Sequence, residues 1–376
     1  MRILQRLTFG LCLAAGSALG GPVAAHPDVL NIVSWGGTYT ASQMLAYVNP
    51  YRATTDQPVQ VDRYAGGLAE IRDQVIARNV TWDVVDVGLA DAVRGCREGL
   101  FEPLDHGELP NGPGGVSPEA DFLEGMLQEC AVGQNVFSNV IAYDVRRYEA
   151  RQTPPSTAAD FFNTRTYPGR RGMRTNPRGN LELALIADGV AADEVYDVLS
   201  TDAGVTRAFD KLREIAPSIV WWEDAGAPER LLDKQRVGMT TAFNGRLQRA
   251  ITRAGRPFEI IWDGQTYDYE LWAVVEGTRH RREAMDFIAF ASQPPRQAAQ
   301  ANFIYYGPAR RSAMDLVEPG VRELLPTAEA NLETAVRIDH AWWADRQREL
   351  DRRFAEFVDS AKSAAGTSLF GVGTAR

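Results

Sequence analysis

The sequence predicts an α/β fold of two lobes joined by extended hinge crossovers and finished by a helical C-terminal region. Strand and helix patterns alternate along the first hundred residues, which implies a parallel sheet. Two extended runs, 131–144 and 269–275, are suited to carrying the chain from one body into another. The 376 residues, less a leader, are long enough for two cores sharing one chain.

Residues 1–25 read as a secretory signal peptide. Arg2 and Arg6 precede an apolar stretch from Leu7 to Gly20, and Val23-Ala24-Ala25 offers a small-residue cleavage site. That stretch is short for a membrane span, and no later segment approaches roughly 20 uninterrupted apolar residues, so a soluble periplasmic protein is expected. Cys12 lacks a lipobox-like lead-in, which argues against a lipid anchor.

Apolar alternation marks strands at 29–35, 58–64 and 83–88, with a helix between the last two whose Leu68, Ile71, Val75 and Ile76 share one face. The first strand breaks at Gly36-Gly37 and leaves Trp35, Thr38 and Tyr39 at its carboxyl end, where an open α/β sheet presents a ligand crevice. Aromatic rings beside hydroxyls suit a small organic molecule, and no Gly-rich run or Walker lysine is present to hold a phosphate. An ordinary strand-end turn with Trp35 in the core would carry the same residues.

Further along, Thr157 or Ser156 is placed to cap a helix over Ala158 to Phe162. Strand signals recur near 170–176, 218–223, 237–243 and 258–262, and the run 269–275 crosses back. A helix over 281–291 shows Ala284, Phe287, Ile288 and Ala291 as one stripe. The region 327–362 reads as largely helical, with Trp342, Trp343, Leu350, Phe354 and Phe357 as packing residues.

The net charge of −9 becomes two units more negative once Arg2 and Arg6 leave, which argues against nucleic acid as a partner and is compatible with a cationic ligand. Cys96 and Cys130 remain in the exported chain, so a disulfide is the default expectation. A zinc site would need further ligands, and His26, His106, His280 and His340 stand at no metal-binding spacing. No metal or cofactor is therefore expected. An exported hydrolase is the rival class, but no G-x-S-x-G elbow or Cys-His context occurs. Glu223-Asp224, beside Trp221-Trp222, would point to opposite faces of a strand and could not act as an opposed acid pair.

Several short motifs occur in a telling order: Ser34-Trp35-Gly36-Gly37-Thr38-Tyr39, Trp82-Asp83-Val84-Val85, Glu98-Gly99-Leu100-Phe101-Glu102-Pro103-Leu104-Asp105, Phe243-Asn244-Gly245-Arg246, Tyr269-Glu270-Leu271-Trp272-Ala273-Val274, Ala284-Met285-Asp286-Phe287-Ile288 and Tyr306-Gly307-Pro308. Together they resemble the periplasmic solute-binding proteins of ABC importers, specifically the polyamine-type branch that includes the spermidine and putrescine receptors. The resemblance implies a two-lobed periplasmic-binding-protein fold (type II-like). It divides the chain into 26–142 as the first part of lobe 1, 143–271 as lobe 2, and 272–376 as the second part of lobe 1 with the C-terminal helices. It also implies a monomer that captures a small amine-containing, polyamine-like solute between the lobes and delivers it to an inner-membrane ABC permease, without catalysis.

By position the resemblance puts Trp35 and Tyr39 on one wall, Thr175 and Asn176 opposite, Phe243 where those receptors carry a tryptophan, and Glu270 where they carry an aspartate. Thr38, Asn244, Trp272 and Tyr306 complete the expected ligand set. A carboxylate such as Glu270 in an aromatic cleft is costly unless a cation pairs with it. The rings could also face an ammonium. The chain departs from the polyamine pattern at Gly88, Ala90, Thr175-Asn176 and Gly179-Asn180, which leaves few carboxylates for a long polyamine. Asp91 and Asp268 are near enough in sequence to compensate, although each reads first as a surface or turn residue. Arg178 supports the alternative, a zwitterionic or carboxylate-bearing metabolite held through a bidentate pair, against the plainer role of a structural salt bridge, which is the favoured reading of the residue.

Overall fold

The structure, a computed structural model, describes residues 29–370, with side chains to 363. The expected signal peptide lies outside the described residues. Eleven strands form one sheet: β1 (Leu30–Ser34), β2 (Val59–Arg63), β3 (Val84–Gly88), β4 (Leu127–Gln128), β5 (Ala131–Asp144), β6 (Arg171–Arg174), β7 (Ile219–Trp222), β8 (Met239–Phe243), β9 (Phe258–Val274), β10 (Gly307–Pro308) and β11 (Val336–Arg337). The main path runs β2-β1-β3-β9-β5-β8-β6-β7.

Each end of that path is parallel, β2-β1-β3 on one side and β8-β6-β7 on the other, as the alternating strand and helix signals require. The middle is antiparallel. β5 and β9 pair from Ala131 with Ala273 to Asp144 with Phe258, so two long strands traverse both lobes side by side. The separate strand signals at 258–262 and 269–275 belong to this one strand, β9, whose ladder to β5 is irregular between Asn139 and Ile141 and again between Gly133 and Asn135. Between Gly133 and Asn135 the extra residue is in β5, whereas between Asn139 and Ile141 the partner strand β9 runs from Thr266 to Ile261 and carries three more residues than β5; each irregularity bends the ladder locally.

Two cores flank the crossovers. The first gathers Leu30, Ile32, Val84, Phe101, Trp272 and Phe287 from both ends of the chain. The second gathers Tyr143, Phe161, Leu181, Phe209 and Met239. The terminal helix His340–Phe370 packs Trp343, Leu350, Phe354 and Val358 on the second core, although the resemblance had grouped the chain after 272 with the first lobe. Its aromatic stripe fits the apolar face of the helix Asp202–Ile215, where Phe209 meets Phe354 and Phe357. The helical reading of 327–362 is interrupted by β11, which pairs beside β9 before the long helix begins.

Local signals explain the element ends. Thr157 accepts from the Asp160 amide, and the Asp160 side chain accepts from the Thr157 amide, a capping box that starts the helix Ala158–Phe162. Cys96, on the helix Leu89–Arg97, is disulfide-bonded to Cys130 just ahead of β5. Among the described residues no helix is long and apolar enough to cross a membrane.

Candidate functional site

A cavity of about 390 Å³ lies where the two lobes meet over β5 and β9. Side chains alternate along a strand, so Thr266, Asp268 and Glu270 of β9 all reach this face, with Phe137 and Asn139 of β5 beside them. The carboxyl end of β1 contributes Trp35, and the helix Gly37–Gln43 contributes Tyr39. Lobe 2 supplies Arg174, Asn176, Arg178, Phe243 and Arg246, and the terminal helix adds Trp343, Gln347 and Asp351. The lobes touch across the cleft: Arg246 donates to the Gly36 carbonyl at 3.3 Å, and the terminal helix meets the helix Leu89–Arg97.

Rings form one continuous wall. Tyr39 packs on Tyr306 with centroids 5.8 Å apart, Tyr306 on Phe137 at 6.1 Å, and Phe137 on Phe243 at 5.7 Å. Trp35 stacks on Tyr64 at 5.0 Å and lies against Gly66, where a Cβ would sit 2.4 Å from the indole. Gly66 also has φ +91°, a left-handed conformation that favours glycine.

The ends of this wall carry opposite charge. At the first-lobe end, Glu270 accepts a 3.1 Å hydrogen bond from Trp35 Nε1 and makes no ion pair with any described residue. Burial, then the nearby Asp86 charge, raises its pKa well above the ordinary glutamate value. At the other end the Arg174 guanidinium lies over Phe243, Cζ 5.2 Å from the ring centroid. It has no carboxylate partner among the described residues. Burial and the neighbouring Arg178 charge disfavour its cation, while Glu270 favours it.

Arg178 is more committed. Its Nη1 lies 3.7 Å from Asp268 Oδ2, its Nη2 donates to Gln347, and its guanidinium stacks over Trp343 at 5.5 Å. Asp268 also faces His340, at 3.4 Å from Nε2. Burial holds the His340 pKa below the ordinary histidine value. Among the described residues no group of three or more His, Cys, Asp or Glu side chains is placed to hold a metal ion.

Of the expected ligand residues, Trp35, Tyr39, Asn176, Arg178, Phe243, Glu270 and Tyr306 line the cavity. Four do not. Trp272 shares the face of Glu270 but sits one alternation deeper, 1 % exposed between Tyr47 and Phe287. Asn244 spends its amide on the backbone, accepting from Ser138 N at 3.0 Å and donating to the Tyr305 carbonyl at 2.8 Å. Thr175 turns its hydroxyl to the Trp222 carbonyl at 3.4 Å. Thr38 is on the first turn of a helix rather than in a loop, which rotates it away from Tyr39. Sequence reasoning missed Arg174, Arg246 and Asp86. For the two arginines the only available signal was their place at the carboxyl end of β6 and just after β8; Asp86 carried none, being one acid in an apolar strand.

Residues 46–324 match the family model described as bacterial extracellular solute-binding protein. A gamma-aminobutyric acid-binding protein of Pseudomonas aeruginosa is 41 % identical over 353 residues, covering 94 % of this chain and 96 % of the relative. A solved binding protein of Agrobacterium tumefaciens B6, in complex with glucopine, is 28 % identical with a TM-score of 0.79, covering 88 % of this chain and 100 % of that one. A solved GABA receptor is 28 % identical with a TM-score of 0.77, covering 88 % and 98 %. The chain belongs to the bacterial extracellular solute-binding protein family, as a two-lobed α/β receptor.

Proposed function

We propose that this receptor captures a small amino acid whose ammonium and carboxylate lie at opposite ends, of the γ-aminobutyrate type, and delivers it from the periplasm to an inner-membrane ABC permease. The observation that carries the reading is the pairing of an acid, Glu270, with an uncommitted cation, Arg174, at the two ends of one aromatic wall. The ammonium sits against Glu270 with Trp35, Tyr39 and Tyr306 around it, and the carboxylate meets Arg174 with Arg178 and Arg246 nearby. Burial makes each charge expensive until its partner arrives, which favours a ligand bearing both signs.

The same arginines disfavour the polyamine reading, because the second ammonium of a diamine would be driven against them. The 41 % identical relative, named for gamma-aminobutyric acid, supports the zwitterion. A second reading is a bulkier carboxylate-bearing conjugate, favoured by the extension of the cavity past Arg178 to Asp91, Arg94, Gln347 and Asp351.

The test is a thermal-shift screen followed by calorimetry with γ-aminobutyrate, putrescine, spermidine and butyrate. Selective stabilisation by γ-aminobutyrate is expected, since a ligand that binds only the folded state raises its melting temperature. A micromolar Kd would need about 8 kcal/mol, within reach of two charged contacts and three rings. Stabilisation by the diamines alone would overturn the proposal.

A further inference from the structure

Beneath the cleft lies a second acid that the ligand set does not include. In the β3–β9 ladder Gly88 stands opposite Glu270 and Asp86 opposite Trp272, so Asp86 is the diagonal neighbour of Glu270 on the same face. No side chain at Gly88 comes between them. Asp86 is fully buried and Glu270 is 8 % exposed. Neither carboxyl makes an ion pair with a described residue.

The donors around them are few and partly spent. Gln43 Nε2 is shared between Asp86 Oδ2 at 2.5 Å and Gln134 Oε1 at 2.9 Å. The extra residue at the β5 irregularity brings Gln134 into this layer beside Asn135, whose Nδ2 donates to the Tyr39 hydroxyl at 3.0 Å. Asp86 Oδ1 is buried and has no hydrogen-bond partner. Two ionised carboxylates in such a place would repel each other in a low dielectric with nothing to neutralise them, whereas one proton between them supplies both the missing donor and the missing charge.

We infer that Asp86 and Glu270 form a carboxyl pair that holds one shared proton in the ligand-free receptor, and that uptake of the ligand's ammonium expels this proton to solvent. The O–H bond of the acid breaks, the proton passes to buffer, the ammonium keeps its own protons, and the pair gains one negative charge to match the cation. Asp86 is a positioning residue: it acts through Glu270. The groups facing the pair from the surrounding elements are Tyr39 and Tyr47 on the helix side, Tyr64 after β2, Asp268 on β9, Arg174 on β6 and Tyr306 before β10. The four tyrosines are held neutral by burial, so Asp268 and Arg174 are the charges that tune the pair. Burial pushes Asp86 up to about 6, and burial together with the Asp86 charge raises Glu270 well above the ordinary glutamate value.

The release of a proton rests on the reading that the ligand brings an ammonium; the shared proton does not. Two measurements separate them. In the ligand-free protein, carboxyl carbon NMR over a pH series is expected to show a carboxyl still protonated above pH about 6, whose titration moves to lower pH in Asp86→Asn because the like charge is gone. Glu270→Gln is the reciprocal variant should Asp86→Asn fail to fold, and it is expected to move the Asp86 titration down. If every carboxyl in the wild type has ionised by pH about 5, or if the variants leave the titration unchanged, the pair is overturned whatever the ligand.

Calorimetry with γ-aminobutyrate in two buffers of different ionisation enthalpy at pH about 6 is expected to show net proton release by the wild type and clearly less by Asp86→Asn. Affinity should rise with pH from about 5 until the pair's raised titration is passed, by up to about tenfold per unit. Binding without proton release overturns the coupling and leaves the receptor reading standing. Failure of γ-aminobutyrate to bind removes the ligand reading, while the titration still decides the pair.

Discussion

The indole Nε1 of Trp35 donates to Oε2 of Glu270 at 3.1 Å, joining the end of the first strand to the hinge strand 235 residues later. The bond gives a buried acid one donor and leaves the rest of its demand to a ligand. It also fixes the indole plane along the cavity wall, held from behind by Tyr64 and Gly66.

Trp35→Phe keeps a ring on Tyr64 and removes that donor. Affinity for γ-aminobutyrate is expected to fall by about three- to tenfold, the worth of one hydrogen bond. The ligand-induced change in tryptophan fluorescence should shrink with it in the same titration; a full-size signal would locate the responding indole elsewhere.

Glu270→Gln should weaken amine binding by at least roughly tenfold, since a neutral amide replaces the charge that pairs with the cation. Its effect on the free protein has a definite sign. A carboxyl whose pKa is raised by folding keeps a proton that the unfolded chain releases, so stability is greatest below the unfolded value near 4.5 and declines as pH rises through the raised value. Gln is neutral throughout and escapes that decline. Melting curves from about pH 5 to 8 should therefore show the variant gaining on the wild type as pH rises, and a constant gap would contradict the burial argument.

Arg174→Gln tests the other end of the wall. Losing a partner from a buried charge pair costs about 2–5 kcal/mol, so γ-aminobutyrate affinity is expected to drop by roughly 30-fold or more. Arg178→Gln should cost less, because Arg178 is already engaged by Asp268 and Gln347. Calorimetry on both variants checks the order; equal losses would make Arg178 the carboxylate anchor.

Trp272→Ala separates packing from recognition. Removing a fully buried indole between Tyr47 and Phe287 is expected to destabilise the fold by about 3–5 kcal/mol. Chemical denaturation measures that loss, and the folded fraction should bind with unchanged affinity.

Replacing Cys96 and Cys130 by serine opens a link across 34 residues. A loss of about 3–4 kcal/mol is expected from the freed unfolded chain. Denaturant midpoints with and without reductant check it: the wild type should respond to reductant and the double variant should not.

Strand positions were legible because period-2 alternation and Gly-Pro punctuation are local. β1, β2 and β3 fall within a residue or two of their expected limits, and the helix between the last two forms as Ala69–Ile76, with Leu68 and Ile71 buried but Ile76 exposed. The motif around Trp35 and Tyr39 was legible for a different reason, since a strand's carboxyl end is where an α/β sheet opens. The separate strand signals at 258–262 and 269–275 could not be joined in advance, because they become one strand only through the ladder to β5, which pairs Thr266 to Asp268 and skips Trp262 to Gln265. Thr38, Asn244 and Trp272 were chosen by motif proximity and Thr175 by its position in the resemblance, and neither says which face a side chain takes.

By itself the sequence determined an α/β chain with two cores, a ring-bearing strand end, and an acid in the returning strand, all consequences of local periodicity and composition. Only the tertiary structure decided which charges oppose each other. Arg174, Asp86 and Glu270 lie on three strands far apart in sequence, and they share a site only because β3 and β9 pair in one register and lobe 2 folds over the bend in β5. Electrostatic meaning depends on burial and on what stands within a few ångströms, and neither is written in the order of residues.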